Sequence, residues 1–95
     1  MATTIGLIHM TLNVTQAMNL KDKRRVIKSF KDRLRNGFNV SVCEVGGQDT
    51  HRRAVLAIAM VGNERTYVEG CLQQIVNAAA LHRDMILVDH EVQWL

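Results

Sequence analysis

From Ala54 to Gly62 the chain carries no charged or polar side chain, and this run sets the terms for everything around it. It is half the ~18 residues that a membrane helix requires, and it is bounded by Arg52-Arg53 and by Asn63, as a buried strand would be. Both faces of such a strand are apolar, with Val55, Ala57, Ala59 and Val61 on one and Leu56, Ile58 and Met60 on the other. It therefore belongs in the middle of a sheet, and the rest of the chain must supply its neighbours and its cover.

The hydrophobic period supplies them in order. Thr4 to Val14 alternates, with Ile8, Met10, Leu12 and Val14 on one side, which predicts a first strand. After the turn Thr15-Gln16-Ala17-Met18, Asn19 is placed to cap a helix whose apolar stripe is Leu20, Val26, Ile27, Phe30 and Leu34. Asn36-Gly37 reads as its stop, with Gly37 in the left-handed conformation. Phe38 to Val45 alternates again, and Gly46-Gly47-Gln48-Asp49-Thr50 is turn chemistry before the central strand. Asn63 is the expected cap of a second helix with Val68, Cys71, Leu72, Ile75, Val76 and Ala79 on its apolar side, and Gly70 is expected to permit close packing there. Ile86 to Trp94 alternates as the last strand.

The order β-α-β-β-α-β predicts a single α+β domain over residues 1–95, a ferredoxin-like sandwich of a four-stranded antiparallel sheet with two helices on one face. One apolar set of the central strand must then face away from the helices. Such a patch is usually covered, which predicts a homo-oligomer through the open sheet face or a bound partner.

Composition narrows the function. With only Phe30, Phe38, Tyr67 and Trp94 as aromatics, the core is aliphatic. Cys43 and Cys71 form no C-x-x-C pattern and read as buried thiols. The chain begins with no basic, apolar, small-residue leader, so a cytoplasmic location is expected, with no membrane association. No nucleophile elbow, phosphate loop or dinucleotide fingerprint is present, and the turn after the first strand lacks an acylphosphatase-type glycine and arginine cradle. A protein that is not an enzyme, without cofactor or metal, is expected. His9 and His90 lie on strands that neighbour each other in this topology and would share a metal only if the register brought them together.

Charge is the informative departure. Net charge is +3, but between Leu20 and Asn36 eight cations stand against Asp22 and Asp32, a local excess of +6 that leaves −3 elsewhere. At ~100° per residue, Lys21, Arg24, Lys28, Lys31 and Arg35 fall opposite the apolar stripe, flanked by Arg25. Lys23 lies beside the stripe, its stem expected to cover apolar surface while its ammonium reaches water. An ordinary solvated helix face is the plain reading of such a run. Lys21, Lys23, Arg24 and Arg25, however, crowd the first turns, where the helix dipole disfavours cations by ~0.3–1 kcal/mol each. That conflict points to an anion-docking surface, with RNA or a ribosomal subunit as the expected polyanion and Arg52 and Arg53 as auxiliary contacts. The alternatives are a dimeric regulatory or small-molecule-binding domain with a pocket at Gln48, Asp49 and His51, and an interaction module for an acidic protein.

The segments Leu20-Lys21-Asp22-Lys23-Arg24-Arg25, Arg33-Leu34-Arg35-Asn36 with Phe38-Asn39-Val40-Ser41-Val42, Glu44-Val45, Gln48-Asp49 and Arg53-Ala54 resemble, in order and nearly end to end, the YlxP-like family of bacterial domains of unknown function. The resemblance implies a ferredoxin-like fold. Through the family's association with ribosome-maturation and translation genes it also implies an RNA-related role, and it implies no catalytic residues. Thr15 stands where the family often has proline, and His51 where an aromatic is common.

Overall fold

In the computed structural model, which describes residues 1–95, the apolar run is strand β3 (Arg53–Gly62), paired antiparallel with β1 (Thr4–Asn13) and β2 (Val40–Gly46). β4 (Ile86–Trp94) pairs antiparallel with the other edge of β1, giving the order β2-β3-β1-β4. Helices α1 (Leu20–Gly37) and α2 (Arg65–Ala80) follow β1 and β3. This is the ferredoxin-like arrangement of a four-stranded antiparallel sheet.

Register decides which apolar set of β3 meets the helices. Ile8 faces Ile58, Met10 faces Leu56 and Leu12 faces Ala54, and all six are 0% exposed. Against them α1 lays Ile27, Phe30 and Leu34, and α2 lays Val68, Leu72, Ile75 and Ala79. Each of these side chains larger than alanine contributes ~1.5–3 kcal/mol when taken from water, before the entropy of ordering is counted. The other set of β3, Val55, Ala57, Ala59 and Val61, shares the open face with Ile5, Leu7, His9 and Thr11 of β1.

The ends of the elements differ in part from expectation. Asn19 caps α1 as predicted, its side chain accepting the Asp22 N–H at 2.9 Å, while Asp22 Oδ2 accepts the Met18 N–H at 3.0 Å. At the far end Gly37 is not left-handed. The helix stops because Phe38 turns extended and donates its N–H to Leu34 O at 2.9 Å. The glycine that needs a positive φ is Gly47, at +78° in the β2–β3 connection. Glu64, not Asn63, is the N-cap of α2, and no side chain caps it. Nor does Gly70 serve packing, since a Cβ there would meet nothing within 4 Å. The close approach is at Gly6, where a Cβ would lie 2.6 Å from Leu72 Cδ1, so α2 settles on β1 at that glycine. Of the cysteines, Cys71 is buried as expected and Cys43 is exposed, because its side chain falls on the open-face side of β2.

Candidate functional site

The basic helix is fixed to the sheet by one of its own cations. Lys23 is 1% exposed, and its Nζ donates to Glu44 Oε2 at 2.9 Å, to Gly47 O at 2.7 Å and to Arg53 O at 3.0 Å. An ammonium has three N–H groups, and all three are used. The expectation that Lys23 would reach water is therefore corrected. The β2–β3 connection folds its carbonyls and Glu44 towards α1, and a charge met by three acceptors can stay buried. Gly47 makes this geometry accessible, since its left-handed backbone passes where a Cβ would lie 2.6 Å from Arg53 O.

With Lys23 turned inward, the outward face of α1 is reorganised. Arg25, Lys28, Ser29, Asp32, Arg33 and Asn36 line a shallow polar depression along the helix. Arg25 stands at its N-terminal end. Lys28 Nζ bonds Asp32 Oδ2 at 2.7 Å, and Arg35 reaches Asp32 Oδ1 at 3.6 Å. The hydrogen bond from Lys28, reinforced by the charges of Lys28, Arg35 and Lys31 against a smaller opposing effect of desolvation, holds the Asp32 carboxyl below its ordinary pKa. Arg35 is also turned towards the sheet edge, donating from Nη2 to Val42 O at 3.0 Å. The side chains of Lys21, Arg24, Arg25, Lys31 and Arg33 make no ion pair or hydrogen bond within the chain. Arg33 belongs with them although its position on the helical projection does not single it out; only the segment's charge count signals it.

The two auxiliary arginines part company. Arg52 Nε donates to Ala17 O at 3.2 Å, and Arg52 O accepts from Val14 N–H at 2.8 Å, so Arg52 stands beside the turn that leads into α1. Arg53, one residue on, alternates with buried Ala54 and falls on the open-face side of β3. Its carbonyl, not its guanidinium, serves the α1 side.

The loop residues Gln48, Asp49 and His51 line none of the principal surface depressions. Gln48 Nε2 donates to Glu44 O at 3.3 Å and the Thr50 N–H to Gly47 O at 3.0 Å, the bonds of a closed turn. His9 and His90 do not meet. His9 pairs with Glu91 and His90 with Met10, so adjacent strands carry the two imidazoles on opposite faces of the sheet.

A groove that the sequence did not signal runs between α2 and β4, lined by Leu72, Val76, Val92 and Trp94 with Glu69, Gln73 and His90 at its rim. The Arg65 guanidinium lies 4.2 Å above the Trp94 ring.

Comparison with known proteins agrees with the fold and the family resemblance. The designed protein described as "De novo designed protein Foldit4" superposes over 98% of this chain and 96% of its own, with a TM-score of 0.54 at 15% identity, a likeness of fold. "Uncharacterized protein YlxP" of Bacillus subtilis (strain 168) is 39% identical over 72 residues, covering 76% of this chain and 78% of that protein. Residues 5–92 match the family described as "Protein of unknown function (DUF503)", and to that family this chain belongs.

Proposed function

We propose that the protein is a non-enzymatic factor that docks on RNA, in the setting of a ribosomal particle, through the outward face of α1. The observation that carries this reading is the set of five cations, Lys21, Arg24, Arg25, Lys31 and Arg33, that have no partner in the chain and project from a helix pinned to the sheet by Lys23. From Lys21 to Arg33 the helix presents them along ~18 Å. Cations that are not neutralised internally are the ones whose pairing with phosphates releases counterions. Arg52, held beside the entry to α1, extends the same surface.

The open sheet face suits RNA less well. It carries no aromatic side chain on β1 or β3 for a base to stack on, and Asp89 and Glu91 border it on β4. The test is binding of ribosomal RNA and ribosomal subunits to the protein and to a Lys21→Glu, Arg24→Glu, Arg25→Glu variant over a salt series. The expected result is affinity that falls steeply with salt and is abolished in the variant. Equal binding by both proteins overturns the reading.

A further inference from the structure

Aromatic side chains are scarce in this chain, and their placement is uneven. Phe30 is 1% exposed in the core, and Trp94 lies beneath the Arg65 guanidinium on the β4 side of α2. The other two, Phe38 and Tyr67, border one cavity. It opens between the last turn of α1 and the first turns of α2, holds about 430 Å³, and is backed by buried Met60 of β3 and Cys71 of α2. Its remaining polar lining is neutral. Asn36 lies in the last turn of α1, Asn39 just before β2 and Asn63 shortly before α2, and none of the three side-chain amides makes a hydrogen bond within the chain.

The cavity is continuous with the basic face. Asn36 and Gly37 line both it and the depression that holds Arg25, Lys28 and Arg33. Asn36 follows Arg33 by three residues, ~4.5 Å along the helix. The charge changes at that point. The unpaired cations of α1 end at Arg33, Arg35 is turned to Asp32 and Val42 O, and no charged side chain lines the cavity.

We propose that this cavity takes one unpaired nucleobase of a single-stranded RNA whose phosphates lie along α1, an assignment that rests on the docking of RNA through that helix. A phosphate calls for cations, and their supply stops where the cavity begins. A base brings instead a flat apolar face and an edge of donors and acceptors. Tyr67 is 64% exposed, so its ring is free to stack without leaving the core, and Phe38, packed against the core, gives a second aromatic surface that is already fixed. Each amide carries both a donor and an acceptor, the capacity that a base edge uses and a phosphate does not. The volume falls in the lower part of the ~300–1,000 Å³ range of small-ligand sites, which suits a single nucleotide and excludes a duplex, whose bases are paired and stacked on one another. The helix ends thus supply the stacking surface that the open face of the sheet lacks.

Two measurements test the cavity and separate it from docking. In the first, adenosine 5′-monophosphate is titrated into the protein and followed by NMR, with ribose 5-phosphate as the probe that lacks a base. The expected result is saturable shifts gathered on the amides of Asn36, Asn39 and Asn63 and on the Tyr67 ring, absent with ribose 5-phosphate, lost in Tyr67→Ala and retained in Tyr67→Phe. In the second, a single-stranded oligoribonucleotide is bound over a salt series. Tyr67→Ala is expected to weaken it ~5–150-fold at each salt concentration, the effect of losing one base–aromatic stack, with an unchanged salt slope because no phosphate contact is removed. No shifts at the cavity, equal shifts from ribose 5-phosphate, or single-strand binding that Tyr67→Ala leaves unchanged overturns the base site and leaves the docking reading in place. Shifts at the cavity from the monophosphate, with no binding of the single strand even at low salt, overturn the docking reading and with it the assignment to RNA.

Discussion

Lys23 Nζ lies 2.9 Å from Glu44 Oε2, 21 residues away in the chain, with the lysine side chain 1% and the glutamate side chain 18% exposed. Two backbone carbonyls complete the ammonium's shell, so the contact joins α1 to both ends of the β2–β3 connection. It orients the basic face without being part of it.

Removing either partner leaves the other polar group with too few hydrogen bonds. Glu44→Ala strands a buried ammonium, and breaking a buried pair in this way costs about 3 kcal/mol. For a domain of this size that is a fall in melting temperature of ~12–24 °C. Lys23→Met should cost less, because Glu44 retains some access to water. Thermal unfolding of the two variants and their double mutant measures the coupling, and additive losses would show that the two residues do not act together.

Gly47→Ala should destabilise the fold by ~1–3 kcal/mol, since alanine is strained at φ near +78° and its Cβ would press on Arg53 O. Gly70→Ala should do the opposite: its site is open and helical, and alanine is favoured there by up to ~1 kcal/mol. Chemical denaturation of the pair separates a glycine required by conformation from one that is not.

Asp32 is held below its ordinary pKa, chiefly by the hydrogen bond from Lys28. A depressed carboxyl contributes stability that is fully present above the unfolded-state value and is lost as pH falls through the folded-state value. The window therefore lies on the acid side of the ordinary aspartate range. By NMR titration Asp32 should protonate below an unperturbed aspartate, and Lys28→Met should move its midpoint up. Protonation also releases Lys28 and Arg35, so the cationic character of α1 rises in acid.

Leu56→Ala, at a 0% exposed position of the central strand, should cost ~2–5 kcal/mol through the forfeited transfer energy and a residual cavity. Ala57→Ser, its neighbour on the open face, should be near neutral. Denaturant midpoints of the two variants test directly which face of β3 the helices cover.

Changing Arg33 to Glu should weaken binding to a polyanion and lower the salt slope by ~0.7–0.9 for each phosphate that the helix no longer neutralises. Changing Arg53 to Glu should leave that slope alone, because its side chain faces the other side of the sheet. A reduced slope for Arg53→Glu would place the anion on the open face instead.

The order of elements, the inward set of β1 and the stripe of α1 were legible in the sequence because strand and helix each bury side chains at a fixed period. Ile8, Met10 and Leu12, or Ile27, Phe30 and Leu34, need no knowledge of their partners to declare a face. Asn19 was legible for the same local reason, as a cap bonds within its own turn. What period and propensity leave open is any outcome that depends on a group far along the chain. Lys23 read as a surface cation because its acceptors lie 21 to 30 residues away. His9 and His90 lie on neighbouring strands, but only the register set them on opposite faces, and exposed Arg35 gained Val42 O as an acceptor only when α1 came to rest against β2. By itself the sequence determined the fold class, the buried faces and the concentration of positive charge on one helix. Tertiary structure alone decided which cations are left unpaired, which apolar face of β3 is covered and that β4 lies at an edge of the sheet, because register and helix seating are set by contacts between distant segments.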